Sequence, residues 1–128
     1  MTVAVGVIFN SDNEILLVQR PLHKPFGGLW EFPGGKIEPS ETASQALQRE
    51  LIEELGIEVK SHTYLGCIAH DYAAQQVKLN VYQVDSFVGT PYCRELQPDM
   101  RWVSLDAVDK YPLLEATLKV HKLLLIFR

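Results

Sequence analysis

Apolar residues follow two periods along the chain, one typical of strands and one typical of helices. Runs rich in β-branched and aromatic residues predict strands near 2–9, 14–20, 30–32, 57–71, 77–88 and 100–103. Apolar residues at helical spacing predict one helix from about 41 to 55 and a second from roughly 114 to 127. Strands with two interspersed helices favour an α/β fold, an α/β/α sandwich around a central mixed β-sheet.

The first helix has recognisable boundaries. Ser40 is a good N-cap residue, and Gly56 is the expected C-terminal stop. Pro33 ends the strand before it, and Gly34 and Gly35 can adopt backbone angles that other residues avoid. A strand, a glycine turn and a helix therefore form one compact unit.

The same helix places three acids on one face. Glu50, Glu53 and Glu54 fall within about one third of its circumference. Like charges at this spacing repel by roughly 0.2 to 0.5 kcal/mol per pair even in water. A solvated acidic face is the ordinary alternative. The glycine segment beside the acids favours a site for a hard divalent cation, which takes oxygen ligands.

Composition is that of a single small domain spanning residues 1–128. The chain has 128 residues, 47% of them hydrophobic, and a net charge of −4. This charge argues against stable binding to nucleic acid or to an anionic membrane. The apolar start lacks the features of a signal peptide, so a cytoplasmic protein is expected. The composition fits a monomer or a homodimer.

Other reactive residues carry no pattern of their own. Cys67 and Cys93 form no Cys-x-x-Cys pair and are expected to be reduced core residues. The four histidines lack metal-ligand spacing, so no catalytic role is assigned to them.

The acidic helix belongs to a longer pattern. Gly35 is followed after five residues by Glu41, and after seven more by Arg49-Glu50-Leu51-Ile52-Glu53-Glu54-Leu55-Gly56-Ile57. This arrangement resembles the signature of the Nudix hydrolases, with every fixed position filled. The segments 28–36 and 97–105 extend the resemblance to the MutT-like branch over essentially the whole chain.

The resemblance implies a metal site and a reaction. It makes Glu53 and Glu54 principal ligands of Mg²⁺, with Mn²⁺ as a possible substitute, and Glu50 a ligand or nearby base. The Gly34 carbonyl is a further implied ligand. Glu95 matches a loop glutamate that reaches the metals and acts as a catalytic base, although a loop glutamate is ordinarily just solvated. The implied reaction converts a nucleoside triphosphate into a monophosphate and pyrophosphate.

Further residues are implied to contact the substrate. They are Arg20, Glu31, Phe32, Pro33, Gly34, Lys36, Gln75 and Glu115. For Arg20 and Lys36 a plain surface ion pair is the alternative. Glu41 lies off the acidic face and is expected to be structural, either paired with Arg49 or favoured by the helix dipole.

The implied base pocket departs from the MutT-like pattern. Glu115 stands where an asparagine that reads oxidised guanine is expected, within a residue or so of alignment error, and Gln75 replaces an arginine. A carboxylate accepts hydrogen bonds but donates none unless protonated. The expected substrate is 8-oxo-dGTP. The alternatives are CTP, methylated dCTP or another nucleoside diphosphate derivative, or a nucleotide-binding module without catalysis.

Overall fold

The computed structural model describes residues 1–73 and 75–127. The strands are β1 (Thr2–Ile8), β2 (Ile15–Gln19), β3 (Trp30–Glu31), β4 (Gly34–Lys36), β5 (Glu58–Tyr72), β6 (Gln75–Val88) and β7 (Met100–Val103). The helices are α1 (Ala43–Leu55) and α2 (Glu115–Phe127), and a 3₁₀ turn spans Leu105–Lys110. No helix among these residues is long and apolar enough to cross a membrane.

The strands form two sheets. The central sheet has the order β4-β1-β6-β5; β1 runs parallel to β6, and the other pairs are antiparallel. The smaller sheet has the order β3-β2-β7 and is antiparallel throughout. The predicted mixed central sheet is therefore confirmed.

Strand β1 separates two hydrophobic cores because its side chains alternate between the faces of the sheet. Ala4 and Ile8 pack with the buried leucines of α1 on one face. Val5 and Val7 pack on the other face with Val120 and other residues of α2. The helices therefore cover opposite faces, which confirms the predicted sandwich.

Helix α1 lies unusually close to β1 at Gly6. A Cβ atom built on Gly6 would lie 3.2 Å from Leu47 Cδ1 and 3.3 Å from Leu51 Cδ1. Contacts of this length are tighter than side chains ordinarily make. The missing side chain at Gly6 thus sets the distance between the helix and the sheet.

The glycine segment is not the turn that the sequence predicts. Gly34 pairs with Val5, and Lys36 pairs with Val3, so the segment forms the edge strand β4. A Cβ on Gly34 would collide with the backbone of Ala4, and its φ of 153° favours glycine. Glycine is required here because two backbones approach closely, not because the chain reverses.

The N-cap of α1 is Thr42, so the predicted start near residue 41 with Ser40 as cap is wrong. The Thr42 hydroxyl accepts from Gln45 N at 3.1 Å, and the Gln45 side chain accepts from Thr42 N at 2.9 Å. This reciprocal pair satisfies two backbone donors, which Ser40 does not do. Gly56 ends the helix in the left-handed conformation, as predicted.

The two cysteines are free, but both are exposed. Their predicted place in the core is wrong because Cys67 lies on the outer face of β5 and Cys93 lies in the loop after β6.

Replacing Thr42 by alanine should destabilise the protein by about 1 kcal/mol, because the Gln45 amide loses its acceptor. Urea unfolding of Thr42→Ala and wild type measures the difference. Ser40→Ala is the matched control and should change the free energy of unfolding by less than about 0.5 kcal/mol. A larger loss in Ser40→Ala than in Thr42→Ala would contradict the assigned cap.

Candidate active site

Three carboxylates from two segments converge beside α1. Glu50 and Glu53 come from the helix, and Glu95 comes from the loop after β6; one oxygen of each lies within 4.8 Å of the others. Oxygen ligands at this separation suit a hard divalent cation such as Mg²⁺. The donor set present in the chain therefore fits the metal that the sequence implies.

The loop that carries Glu95 is fixed to the C-terminal end of α1. Arg94 N donates to Glu54 O at 3.0 Å, and the Arg94 guanidinium donates to Ile52 O at 2.8 Å. Gln97 donates to Glu54 O at 3.0 Å and accepts from Glu95 N at 2.7 Å. The bonds to Glu54 O satisfy a carbonyl that the helix end leaves unpaired, and together the four bonds hold Glu95 near the helix acids.

Glu54 lies deeper than the other acids of α1. Its carboxylate accepts a hydrogen bond from Gly34 N at 3.3 Å. Burial raises its pKa well above the usual 4.5, and the charges of Glu31, Glu50 and Glu95 raise it further. Gly34 thus contributes its amide to this acid, and the implied use of its carbonyl as a ligand stays a prediction.

Arg49 is the counter-ion within the acidic group. It contacts Glu41 at 2.6 Å, Glu50 at 3.0 Å and Glu53 at 3.2 Å, and donates to Lys36 O at 3.0 Å. The predicted Glu41–Arg49 pair is confirmed. The hydrogen bond from Arg49 lowers the pKa of Glu41 to about 2, and the bond to Glu41 raises the pKa of Arg49.

Glu50 is held between Arg49 and β4. Burial raises its pKa, the bond and charge of Arg49 oppose the rise, and the charges of Glu53 and Glu95 add to it. A Cβ on Gly35 would lie 2.6 Å from each carboxylate oxygen of Glu50. Only glycine leaves room for this carboxylate against the strand.

The acids open onto a cleft of about 690 Å³. Alternate residues of β1 and β6 line its apolar part: Val3, Val5, Val77 and Leu79. Most of the predicted site residues also line it: Arg20, Glu31, Phe32, Gly34, Lys36, Glu50, Glu53, Glu54, Gln75 and Glu95. An apolar cleft with acids and cations at its rim suits a ligand with a flat apolar part and an anionic part.

Arg20 and Glu31 form an ion pair in the wall of the cleft. Arg20 Nη1 donates to Glu31 at 3.3 Å, and Arg20 Nε donates to Pro25 O at 2.6 Å. Burial raises the pKa of Glu31, and the charge of Arg20 opposes the rise. Arg20 thus makes an ion pair, which was the alternative to a substrate contact, but this pair faces the cleft and not open solvent.

Two predicted substrate residues do not line the cleft. Pro33 is buried, and its carbonyl accepts from Gly6 N at 2.8 Å. Glu115 has a side chain that is 76% exposed, and it lies 2.9 Å from His70 Nε2. Glu115 therefore supports a neighbouring histidine and does not face a ligand in the cleft.

The cleft-lining residues that sequence reasoning missed include Phe26, Tyr72 and Thr117. Thr117 comes two residues after Glu115, just beyond the single residue or so of uncertainty that the MutT-like pattern leaves at the start of α2. No signal in the sequence marks Phe26 or Tyr72, because their place depends on where the surrounding loop and hairpin fold.

Clustered acids beside a glycine strand and an apolar cleft define a hydrolase-type site for a phosphorylated ligand. Residues 4–123 match the family model for the NUDIX domain. The chain belongs to this family and is a Nudix hydrolase.

Relatives of known sequence support the assignment. An 8-oxo-dGTP diphosphatase of Proteus vulgaris is 48% identical over 82 residues, which are 64% of this chain and 73% of the relative. A CTP pyrophosphohydrolase of Escherichia coli is 38% identical over 128 residues, which are 100% of this chain and 94% of the relative.

Solved structures share the fold. The solution structure of the Escherichia coli ORF135 protein has a TM-score of 0.87 at 35% identity, covering 99% of this chain and 89% of that chain. A MutT structure from work on Aliivibrio salmonicida and Vibrio cholerae has a TM-score of 0.85 at 38% identity, covering 99% and 98%.

Replacing Glu54 by glutamine should stabilise the metal-free protein at pH 8 by more than the ~0.5 kcal/mol typical of a surface change. A raised pKa means that the charged carboxylate destabilises the folded state above that pKa. The gain should shrink as the pH falls through the raised pKa and vanish below 4.5, where the carboxyl is protonated in the unfolded state as well.

Urea unfolding in EDTA measures the difference, with the exposed Glu58→Gln as control. Excess Mg²⁺ should reduce the advantage of Glu54→Gln, because a bound cation stabilises the ionised wild type. A Glu54→Gln protein that is less stable than wild type in EDTA would contradict the inference that the charged Glu54 carboxylate destabilises the folded state.

Proposed function

We propose that the protein is a divalent-metal-dependent nucleoside triphosphate diphosphatase that releases a nucleoside monophosphate and pyrophosphate. The observation that carries the proposal is the convergence of Glu50, Glu53 and Glu95 at the rim of the apolar cleft. The acids alone would repel a polyphosphate, so a cation must bridge them.

The chain supplies the ligands and the proton acceptors. Glu50, Glu53 and Glu95 would hold Mg²⁺ or Mn²⁺, with Glu54 behind them. A divalent ion bound there would neutralise phosphate charge and lower the pKa of a water molecule. Burial raises the pKa of Glu50 and Glu54, which makes each a better proton acceptor than an ordinary carboxylate.

Cationic groups complete the phosphate end of the cleft. Lys36 lies on β4 and lines the cleft beside Gly35. Arg49 stays bonded to Glu41 and Lys36 O, so it orients Glu50 and Glu53 from behind. In this proposal Lys36 meets a phosphate of the substrate, and Arg49 is a positioning residue.

The proposed substrate is 8-oxo-dGTP, because the Proteus vulgaris relative is an 8-oxo-dGTP diphosphatase. The second candidate is CTP, because the Escherichia coli relative that acts on CTP matches over the whole chain. Glu31 can accept from the N1–H and N2–H of guanine or from the amino group of cytosine, so it serves either base.

The remaining predictions follow from this substrate. The nucleotide pool that such an enzyme would sanitise lies in the cytoplasm, where the protein is expected to act. The net charge of −4 supports a free nucleotide and not a nucleic acid as partner. A binding module without catalysis would not need this complete set of glutamates.

Replacing Glu53 by glutamine should lower kcat at saturating Mg²⁺ by more than about 100-fold, beyond the loss typical of a residue that only supports a ligand. The reason is the loss of an anionic metal ligand. Pyrophosphate release measures kcat, and near-ultraviolet circular dichroism checks the fold. The control Glu58→Gln lies outside the site and should keep wild-type turnover. Comparable turnover in folded Glu53→Gln would remove Glu53 from the ligand set.

A panel of nucleotides with Mg²⁺ should rank 8-oxo-dGTP above dGTP, CTP, dCTP and 5-methyl-dCTP in kcat/KM. A kcat/KM tenfold higher for CTP than for 8-oxo-dGTP, a difference of about 1.4 kcal/mol in transition-state binding, would select the second candidate. Absence of metal-dependent pyrophosphate release from every nucleotide in the panel would refute the proposed activity.

A further inference from the structure

Tyr72 lies at the far end of the cleft from the acids. It is the last residue of β5, whereas Gly34–Lys36 forms β4 on the opposite edge of the central sheet. Three strand spacings of about 4.8 Å separate the two edge strands, a span of about 14 Å. Because Tyr72 and the acids line one cleft, a ligand with phosphates at the acids places its other end near Tyr72.

The hydroxyl of Tyr72 has one bond and one unused proton. Ala116 N in the first turn of α2 donates to Tyr72 Oη at 3.0 Å. No group within residues 1–73 and 75–127 accepts the hydroxyl proton, although a phenol both donates and accepts. Burial raises the pKa of Tyr72, so the proton stays on the oxygen at neutral pH.

The ring of Tyr72 is held from two sides. Phe26 lies against it with ring centroids 5.3 Å apart, and His70 meets it edge-on at 4.5 Å. His70 is in turn bonded to Glu115 at 2.9 Å. These contacts fix the direction of the hydroxyl before a ligand arrives.

Thr117 supplies a second hydroxyl on the same wall. It follows Ala116 in α2, is only 4% exposed and lines the cleft. Within the described part of the chain its side chain makes no hydrogen bond to another protein group, and its oxygen is not one of the fully buried unpaired atoms. The Thr117 hydroxyl is therefore accessible from the cleft, where it can bond to a ligand in place of water.

The groups around this wall define what it can recognise. Its neighbours are apolar: Leu114 just before α2, and Ala116 and Val120 within the helix. The hydroxyls are uncharged donors, whereas the Glu31 carboxylate elsewhere in the cleft accepts. The matching ligand is a flat group with a carbonyl oxygen on one edge and an N–H on another.

We propose that Tyr72 and Thr117 form a hydroxyl pair that recognises a carbonyl oxygen of the nucleobase, so that the enzyme selects oxo bases over adenine. The inference rests on the proposed function and adds the residues that determine its base specificity. Guanine, 8-oxoguanine, cytosine and uracil carry such a carbonyl, and adenine has none.

Two pairs of substrates test the carbonyl. dITP carries a 6-carbonyl and an N1–H that purine deoxyriboside triphosphate lacks, and 8-oxo-dGTP carries an 8-carbonyl and an N7–H that dGTP lacks. The loss of preference on removing a hydroxyl donor, and not the preference itself, therefore reports the contact with the carbonyl. In at least one pair, wild type should prefer the carbonyl-bearing member, and Tyr72→Phe or Thr117→Val should reduce that preference by about 3- to 10-fold. The change should appear in KM with kcat nearly unchanged, because the base lies far from the reacting phosphate.

Matched controls come from the same strand. Tyr64→Phe also removes a phenol hydroxyl, and Thr63→Val also removes a threonine hydroxyl, but these groups bond to Asn80 and Asp85 outside the cleft. Both controls should leave every substrate ratio unchanged. Equal losses for both members of each pair in Tyr72→Phe and Thr117→Val would overturn the inference, since a purely structural defect lowers all substrates alike.

Binding of products separates this inference from the proposed activity. Calorimetry with dGMP, dCMP and dAMP in Mg²⁺ tests base selection without turnover. Wild type that prefers dGMP or dCMP over dAMP, with the preference reduced in Tyr72→Phe, supports the hydroxyl pair even if no triphosphate is hydrolysed. Turnover with no preference for carbonyl-bearing bases would overturn the proposed recognition by the hydroxyl pair and leave the proposed diphosphatase activity intact.

Discussion

Crowded negative charge around α1 is the constraint on which the rest of the structure depends. Glu50, Glu53 and Glu95 share one small volume, and Glu54 is buried behind them. Arg49 offsets part of this charge, but its shortest contact is with Glu41, which lies outside the group. The protein thus keeps a net deficit of positive charge at the rim of its cleft. A cation from solution can lower the free energy of this arrangement only by binding there, so metal affinity and acid repulsion have one origin.

The sandwich fold places this uncompensated negative charge where a ligand can reach it. The core leucines of α1 hold the helix on one face of the sheet, and its acids reach around the edge formed by β4. Gly35 lets Glu50 approach that edge, and Gly34 gives its amide to Glu54. The apolar floor comes from the opposite face of the same strands. One sheet therefore aligns a charged rim with an apolar pocket.

Local chemistry made much of this arrangement predictable. Helical spacing placed the acids of α1 together, Gly56 marked the helix end, and the pair with Arg49 was one of two roles expected of Glu41. Prediction failed where two candidates satisfy the same local rule: Ser40 and Thr42 are both good caps, and only the match with Gln45 decides between them. The end of the cleft near Tyr72 was harder still to predict from the sequence. Glu115 and Tyr72 come from separate segments, and their relative position depends on the whole hairpin and on α2.

The absent side chain at Gly6 has a consequence far from its own position. Leu47 and Leu51 rest directly over this residue, and the same stretch of the helix carries the clustered acids. A single methyl group there would force these leucine side chains, or the helix that carries them, to shift by a few tenths of an ångström. Any part of that displacement taken up by the helix would alter the gap between Glu54 and the Gly34 amide. Variation at this interior point is therefore a way to tune the proposed metal site without changing any residue that lines it.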